Sequence, residues 1–206
     1  MDKEYWNEYY NKKIAPIEPS KFAADIVDNF TKGGRLVELG CGNGRDSIFF
    51  GSKGINVLAI DQSKSAIGIL QEQDYENVNF AADNFVNSSL LEESSFDYVY
   101  SRFTLHSISD EDQAIVLRNS YRILKENGLL CIEARSIKDD FCGLGEQVGP
   151  NAYIYTGHYR RFIVMEDLIK SLEEIGFKII FSIEGKNFAV YKEENPVVVR
   201  VIAKKA

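Results

Sequence analysis

A glycine-rich turn after a short apolar run is the first feature of the sequence that could do chemistry. The run VEL is followed by Gly40, Gly42 and Gly44. Glycines at such a place let the backbone turn sharply and approach a ligand closely. The spacing is not the dinucleotide fingerprint, because Arg45 stands where its third glycine belongs. No Gly-Lys-Ser/Thr follows, so the turn is not a P-loop either.

Acidic residues lie at the ends of three successive apolar runs. Glu38 precedes the turn, where a carboxylate would repel a pyrophosphate but attract a ligand that carries an ammonium and a sulfonium. Asp61 comes 21 residues after Gly40, at the position of a carboxylate that accepts ribose hydroxyls. Asp83 follows the third run and could accept an adenine amino group, with Phe85 packed nearby. We expect these side chains to line one pocket, because parallel strands end at one sheet edge.

Basic side chains follow the next two apolar runs. His106 comes after the fourth run, where a neutral imidazole could take a proton from a reacting group. The alternative is a structural histidine bonded to the backbone. Arg102 and Arg135 follow the fourth and fifth runs, so both are expected to face the same cleft.

A long aromatic and basic stretch, residues 135–161, is predicted to be irregular. Unstructured loops of this length are uncommon in compact domains and are often functional. It carries Tyr155, His158, Arg160 and Arg161, and guanidinium groups suit a carboxylate or a phosphate. The stretch therefore predicts a loop that binds an anionic small molecule. The alternative is a solvated, charged loop.

The order of apolar and amphipathic runs predicts alternating strands and helices, which is typical of βα units on a parallel sheet. Strands are predicted over residues 35–39, 55–60, 78–81, 96–100 and 129–134. Helices are predicted over residues 45–53 and 64–73, and from Ser109 to a closing Gly128. A helix from Met165 to Ile175 and strands over residues 177–183 and 197–203 complete the chain. The predicted fold is an α/β, Rossmann-like three-layer sandwich with a mostly parallel seven-stranded sheet and a C-terminal antiparallel pair.

The composition limits the class of protein. The 206 residues fit one domain, with 45% hydrophobic and 27% charged residues. No apolar run reaches the roughly 18 residues of a membrane span, and the polar start does not resemble a signal peptide. Three cysteines without metal-ligand spacing predict reduced thiols in a cytoplasmic protein without a metal. A net charge of −7 opposes a nucleic-acid partner, so we expect a small-molecule acceptor, no membrane partner, and a monomer or homodimer.

The segments VELGCGNGRDS, AIDQS, AADNF and FDYVYSRFTLHSI resemble the successive motifs of class I S-adenosylmethionine-dependent methyltransferases. The resemblance covers residues 35–134 strongly, and CGNGRDS before a helix is similar to tellurite-resistance-type and other small-molecule methyltransferases. It implies S-adenosylmethionine as the cofactor, S-adenosylhomocysteine as its product, and transfer of the methyl group to O or N of an acceptor. The residues expected to bind the cofactor are Trp6, Tyr10, Glu38, Gly40, Cys41, Gly42, Arg45, Asp61, Gln62, Asp83, Asn84, Phe85 and Arg102.

A narrower resemblance concerns the acceptor. YSRFTLHSI, EARS, GHYRRF and NPVVVRVIAKK are similar to segments of methyltransferases found with bacterial surface-carbohydrate pathways, some linked to phosphoramidate decoration of capsule polysaccharide. Together with the arginines this implies a small anionic acceptor and His106 as its proton acceptor. The residues expected to bind the acceptor are Arg135, Tyr155, His158, Arg160 and Arg161.

The first aromatic residues are interpreted as a lid. Trp6, Tyr9 and Tyr10 share one helical face, and an aromatic ring attracts a sulfonium by cation–π interaction. In similar enzymes an N-terminal helix folds over the cofactor, whereas an aromatic stripe can also be plain core. The predicted division is a lid over residues 1–30, a cofactor core over 35–134, an acceptor loop over 135–161, and a final helix and strands over 162–206.

Three other hypotheses about the function are considered. A nicotinamide dehydrogenase is opposed by Glu38 and Arg45 in the turn. A DNA adenine methyltransferase would carry an Asp/Asn-Pro-Pro-aromatic motif where this chain reads Ser101-Arg102-Phe103-Thr104. A regulatory protein that binds S-adenosylmethionine without catalysis remains as the alternative from a different class.

Overall fold

The structure, a computed structural model, describes residues 18–206. Its strands are β1 (Arg35–Leu39), β2 (Asn56–Asp61), β3 (Val78–Ala82), β4 (Phe96–Arg102), β5 (Leu124–Arg135), β6 (Glu146–Gly149), β7 (Ala152–Tyr155), β8 (His158–Arg161), β9 (Phe177–Gly185) and β10 (Val198–Lys205). Its helices are α1 (Lys21–Ile26), α2 (Arg45–Ser52), α3 (Lys64–Gln71), α4 (Asp110–Ile123) and α5 (Met165–Ile175). None of these helices has the length and apolar character needed to cross a membrane.

Seven strands form the main sheet, in the order β3-β2-β1-β4-β5-β10-β9. The strands β1 to β5 pair in parallel, whereas β10 is antiparallel to both β5 and β9. The predicted mostly parallel sheet with a C-terminal antiparallel pair is confirmed. Because β1 is central and its neighbours β2 and β4 lie on either side, their carboxyl ends converge on the glycine turn.

Helices cover both faces of this sheet. Successive strand residues point to opposite faces, so Leu36 packs on one side of β1 and Val37 on the other. The first side is covered by α1, α2 and α3, with Phe50 of α2 fully buried there. The second side is covered by α4 and α5, which contribute Leu117 and Leu172. The three-layer arrangement predicted from the sequence is therefore confirmed.

The predicted end of the long helix is wrong. Helix α4 stops at Ile123, and β5 already begins at Leu124. The pairing of β4 with β5 shifts register near Phe96, so residues 125–128 bulge from the ladder. A Cβ atom on Gly128 would lie 2.9 Å from Cδ2 of Leu124 and 3.0 Å from a backbone oxygen of β4. The glycine therefore serves this bulge in the strand and does not close the helix.

The predicted irregular loop over residues 135–161 is also corrected. After a series of turns, the chain forms a second sheet of three antiparallel strands in the order β6-β7-β8. Ala152 pairs with Arg161, and Tyr155 pairs with His158 across a tight turn. Each strand has only four residues, and their exposure does not alternate regularly, so the hydrophobic pattern did not reveal them.

A short 3-10 turn, Leu105–Ser107, links β4 to α4 and carries His106. It lies against β8 and the end of β5. This contact brings the small sheet to the carboxyl edge of the main sheet, beside the glycine turn.

Candidate active site

The glycine turn joins β1 to α2 and is fixed to the end of β2. The backbone amides of Gly40 and Cys41 both donate to the Ile60 carbonyl, at 2.7 and 3.0 Å. The amide of Gly42 donates to the Asp61 carboxylate at 2.8 Å. The Cys41 thiol is buried, and burial raises its pKa, so it stays neutral in the turn. The turn thus lies at the edge where open α/β sheets bind their ligands.

Gly40 cannot be replaced without moving a neighbour. Its φ is +78°, and a Cβ atom built there would lie 2.0 Å from the Thr104 methyl carbon. Only glycine combines this conformation with so close an approach. The contact joins the predicted cofactor turn directly to the segment that carries His106.

Asp61 presents an oriented carboxylate at the end of β2. One oxygen accepts from the Gly42 amide and the other from the Ser63 amide, each at 2.8 Å. Burial raises the pKa of Asp61, while these backbone donors partly oppose the increase. The backbone of Gln62 also donates to this carboxylate. A carboxylate has about four acceptor positions, so at least one remains for a hydroxyl donor of a ligand. The geometry suits the ribose role expected from the sequence.

The end of β3 forms a small polar turn. Asp83 accepts from the Asn84 amide at 2.7 Å and from the Ser88 hydroxyl at 2.6 Å. The side chain of Gln62 donates to Oδ1 of Asn84 at 3.1 Å, which links this turn to the end of β2. Asp61, Gln62, Asp83 and Asn84 are therefore brought to one edge, as the sequence predicts.

Phe85 is buried beside the glycine turn. Its side chain is 2% exposed and belongs to the hydrophobic core on the α4 side of the sheet. The ring edge would lie 3.7 Å from a Cβ atom on Gly40, so it supports the glycine turn from below. The ring is thus an apolar support of the glycine turn, and its packing near a bound adenine stays a prediction.

Glu38 is buried beneath the turn. Its carboxyl accepts from the Ser47 hydroxyl, and both groups are nearly inaccessible. Burial, with the nearby charge of Asp46, raises the pKa of Glu38 well above its usual value. A ligand ammonium close to this carboxyl would favour its ionised form.

A second buried carboxylate, Asp46, was not identified from the sequence. It accepts from the Ser20 amide at 2.6 Å, the Ser20 hydroxyl at 2.7 Å, and the Tyr100 hydroxyl at 2.9 Å. It therefore holds the chain before α1 against the first turn of α2. The partners lie 26 and 54 residues away, so only the letters RDS after the turn could have pointed to it.

Two of the residues expected to contact the cofactor lie before the described range, and a third, Arg45, lies within it. Trp6 and Tyr10, the residues of the expected lid, lie outside the described residues 18–206. Arg45 points its guanidinium toward the backbone oxygen of Glu18 at 3.5 Å and lies 3.8 Å from the Asp46 carboxylate. Arg45 thus contacts the start of the described chain.

Five basic side chains form a cationic cluster beyond the ends of β4 and β5. Its members are Arg102, His106, Arg135, His158 and Arg160. The sequence predicted all five as site residues, and the structure brings them together. The arginines of the cluster carry positive charges that need negative partners, from the protein or from a ligand.

His106 is one of the two buried histidines of this cluster. It is 4% exposed, and its Nδ1 makes no hydrogen bond with the described residues. Burial lowers the pKa of His106 well below its usual value, and the charges of Arg135, His158, Arg160 and Arg102 add to the effect. The imidazole is therefore neutral at pH 7, which is the form that accepts a proton.

Two phenylalanines, Phe103 and Phe141, separate the guanidinium groups. Arg102 lies 4.4 Å from the centre of the Phe103 ring, and Arg135 lies 5.0 Å from that of Phe141. Arg160 is 5.8 Å from the Phe141 ring centre, and Tyr155 contacts the same ring from the exposed rim. Such cation–π contacts help to position the guanidiniums. Neither ring was identified from the sequence as part of the site. The backbone φ of Phe103 is +56°.

Arg102 is oriented by a buried charge network. Its Nε lies 2.8 Å from Glu133, which also accepts from Arg200 at 2.6 Å. Arg200 in turn donates to Asp25 of α1 at 2.8 Å. Glu133 is 1% exposed, so it balances two arginines in the interior. This places Arg102 in a fixed position, with its outer edge toward the cluster.

Arg161 has a structural position, which corrects its expected role at the acceptor. Its Nε and Nη2 donate to the carbonyls of Ile108 and Leu105 at 3.1 and 3.2 Å. Its Nη1 and Nη2 donate to the side chains of Asp110 and Gln113, each at 2.6 Å. These bonds pin β8 to the 3-10 turn and to α4. The guanidinium is thus committed within the protein.

The fold is the Rossmann-like fold of class I S-adenosylmethionine-dependent methyltransferases, and comparison with known proteins agrees. The family described as a methyltransferase domain matches residues 7–181. The chain belongs to this family.

Relatives and solved structures support the same class. The chain is 24% identical to the probable S-adenosyl-L-methionine-dependent methyltransferase TehB of Haemophilus influenzae over 137 residues, 65% of this chain and 46% of TehB. The chain therefore spans about half the length of the curated relatives it matches. A methyltransferase structure from Methanosarcina mazei is similar with a TM-score of 0.76 at 18% identity, covering 87% of this chain and 96% of the other. The Burkholderia thailandensis 1,6-didemethyltoxoflavin-N1-methyltransferase, with bound 1,6-didemethyltoxoflavin and S-adenosylhomocysteine, has a TM-score of 0.70 at 17% identity, covering 100% of this chain and 84% of the other.

Proposed function

We propose that this protein transfers the methyl group of S-adenosylmethionine to an oxygen or nitrogen atom of a small anionic acceptor. The observation that carries the proposal is the cationic cluster beside the glycine turn. The turn, Asp61 and Asp83 would hold the cofactor, and the cluster would hold the acceptor within reach of the methyl group. The acceptor would be a cytoplasmic small molecule, since an acidic protein attracts nucleic acid poorly.

The chemistry asks little of the protein beyond positioning. A lone pair on the acceptor forms a bond to the methyl carbon, and the S–C bond breaks with its electrons moving to sulfur. Because the sulfonium is already an activated donor, holding the two reactants in line supplies most of the rate gain. If the reacting atom carries a proton, the neutral His106 imidazole accepts it. The buried Nδ1 is suited to this role, as it has no hydrogen-bond partner among residues 18–206.

The charge of the acceptor follows from the arginines. Arg102 and Arg135 are largely buried, with side chains 16% and 10% exposed, and they crowd a buried imidazole. Glu133, Asp139 and Glu194 balance part of this positive charge, and a phosphate, phosphoramidate or carboxylate group of the acceptor would add a further negative partner. The resemblance of GHYRRF and neighbouring segments to surface-carbohydrate methyltransferases is in keeping with such an acceptor.

The alternative is a regulatory protein that binds S-adenosylmethionine without turning it over. The two functions share the cofactor site and differ only at the acceptor. Binding of S-adenosylhomocysteine in calorimetry, together with no methylated product from any acceptor, would favour the regulatory function.

The decisive experiment is a methyl-transfer screen read by mass spectrometry. Its acceptors are sugar phosphates, phosphoramidates, phosphonates, small carboxylic acids and neutral amines. We expect product with an anionic acceptor and none with its neutral analogue. For the acceptor that reacts, Arg160→Met should raise KM sharply, whereas Arg118→Met on the exposed face of α4 should not. Preference for the neutral amines would overturn the anionic acceptor but leave methyl transfer standing.

A further inference from the structure

The two ends of the Arg135 guanidinium have very different partners. Nη1 lies 3.2 Å from both oxygens of Asp139, whose side chain is 2% exposed. Asp139 also accepts from the amides of Phe141 and Val197, at 3.0 and 2.9 Å. This end of Arg135 is therefore held by a carboxylate that is itself fixed by the backbone.

The other end faces an exposed carboxylate. Nη2 of Arg135 donates to Oε2 of Glu194 at 2.7 Å, and the Glu194 side chain is 53% exposed. Glu194 closes a short turn in the connection from β9 to β10, in which its backbone pairs with Tyr191 and Lys192 has a φ of +54°. An ion pair with so exposed a partner contributes little to stability, because water can replace it.

The outer end of Arg135 belongs to the cationic cluster. Its guanidinium packs between the Phe103 and Phe141 rings, with centre distances of 5.7 and 5.0 Å. Among the charged neighbours of His106, Arg135 has the largest influence. The Glu194 carboxylate therefore sits at the mouth of the site in which the acceptor is proposed to bind.

We propose that Glu194 occupies the position on Arg135 that the anionic group of the acceptor takes over. The inference rests on the proposed function for the identity of the ligand, but the anion position itself does not. A carboxylate or phosphoryl oxygen would replace Oε2 of Glu194 on Nη2, while Asp139 keeps Nη1 in place. The turn at residues 191–194 would move outward with its glutamate. Glu194 then acts as an internal competitor that admits only ligands with a negative charge at this point.

Inorganic phosphate is the probe that tests this exchange. The chain has only two histidines, so the ring signals of His106 can be followed by NMR while phosphate is added. We expect Glu194→Gln to bind phosphate about fivefold more tightly than the unchanged protein, which corresponds to about 1 kcal/mol. In Glu194→Gln, phosphate should also raise the pKa of His106, because there it adds a negative charge on Arg135 that no carboxylate of the protein supplies.

The matched control is Glu193→Gln, which makes the same charge change at the neighbouring exposed position of the turn. It should leave phosphate affinity unchanged. Equal affinities in all three proteins, or an equal gain in both variants, would overturn the proposal, since the effect would then be absent or due to net charge alone.

The exchange at Arg135 and the proposed function can be tested independently of each other. Methyl transfer to an anionic acceptor with no phosphate effect in Glu194→Gln would refute the exchange and leave the function standing. Tighter phosphate binding in Glu194→Gln with no methylated product from any acceptor would support the exchange and count against the function. With a reactive acceptor in hand, Glu194→Gln should lower its KM and leave kcat nearly unchanged.

Discussion

His106 is buried and has positively charged side chains around it, and this environment lowers the stability of the protein at low pH. Burial and the nearby arginines lower its pKa in the folded protein, whereas an unfolded chain has a histidine pKa near 6.5. Below about pH 6.5 the unfolded state binds the proton and the folded state does not, so stability decreases as the pH falls. Above that pH both states are neutral, and this histidine gives no pH dependence.

The consequence is measurable by urea unfolding at pH 7.5 and pH 5.5. We expect His106→Gln to lose less stability than the unchanged protein between these two values. An identical loss in both proteins would mean that His106 is protonated as readily in the folded state as in the unfolded chain.

Asp61 gives a sharper test of the cofactor site. Replacing it by alanine removes a charged acceptor for two ribose hydroxyls, so we expect S-adenosylhomocysteine to bind more than tenfold more weakly in calorimetry. Asp74→Ala, with the same charge change on the exposed turn after α3, should have no effect. Unchanged affinity in Asp61→Ala would show that the end of β2 does not hold the ribose.

The site residues that the sequence predicted share one property: each is recognised by its position next to an apolar run. The glycine turn, Asp61 and Asp83 each follow a strand that its own apolar run predicts. Asp46 and Glu194, by contrast, acquire their roles from partners 54 and 59 residues away, which only the folded chain brings together. Arg161 shows the converse. Its residue type and place in the sequence suggested a role in ligand binding, whereas its distant partners give it a structural role.

At the scale of elements, Arg161 attaches the small sheet β6-β7-β8 to the 3-10 turn and to α4. Removing that side chain would leave the buried carbonyls of Leu105 and Ile108 without their donor. We expect Arg161→Met to lower the free energy of unfolding by about 2–4 kcal/mol. Arg118→Met, on an exposed part of α4, should change it little, as measured by urea unfolding.

This prediction also separates two roles for Arg161. If Arg161 is structural, Arg161→Met should lower the stability of the protein. At a low temperature, where the variant is still folded, its KM for the acceptor should stay unchanged. A large increase in KM with unchanged stability would restore the role in acceptor binding that the sequence suggested.

The main sheet was predictable because its strands are long apolar runs with turns of known chemistry between them. The bulge of β5 and the three short strands were not. Their pairing is set by what they pack against, namely β4 for the bulge and the 3-10 turn for the small sheet. A four-residue strand carries too little periodic signal to be recognised alone.

At the scale of the whole molecule, one charge network ties four elements together. Asp25 of α1, Arg200 of β10, Glu133 of β5 and Arg102 of β4 form a continuous chain of ion pairs. Glu133→Gln would leave two buried arginines facing a neutral amide, and we expect it to destabilise the protein by about 3–5 kcal/mol in urea unfolding. Glu126→Gln, which is exposed, is the control and should have little effect.

The contact between Gly40 and the Thr104 methyl group makes the two halves of the site one mechanical unit. A ligand that orders the glycine turn also restrains the segment leading to His106, and a ligand that orders that segment restrains the turn. Free-energy linkage then requires each ligand to change the affinity of the other by the same factor. If the turn holds the cofactor and the segment with His106 holds the acceptor, as proposed, binding of either one would change the affinity for the other, whichever binds first.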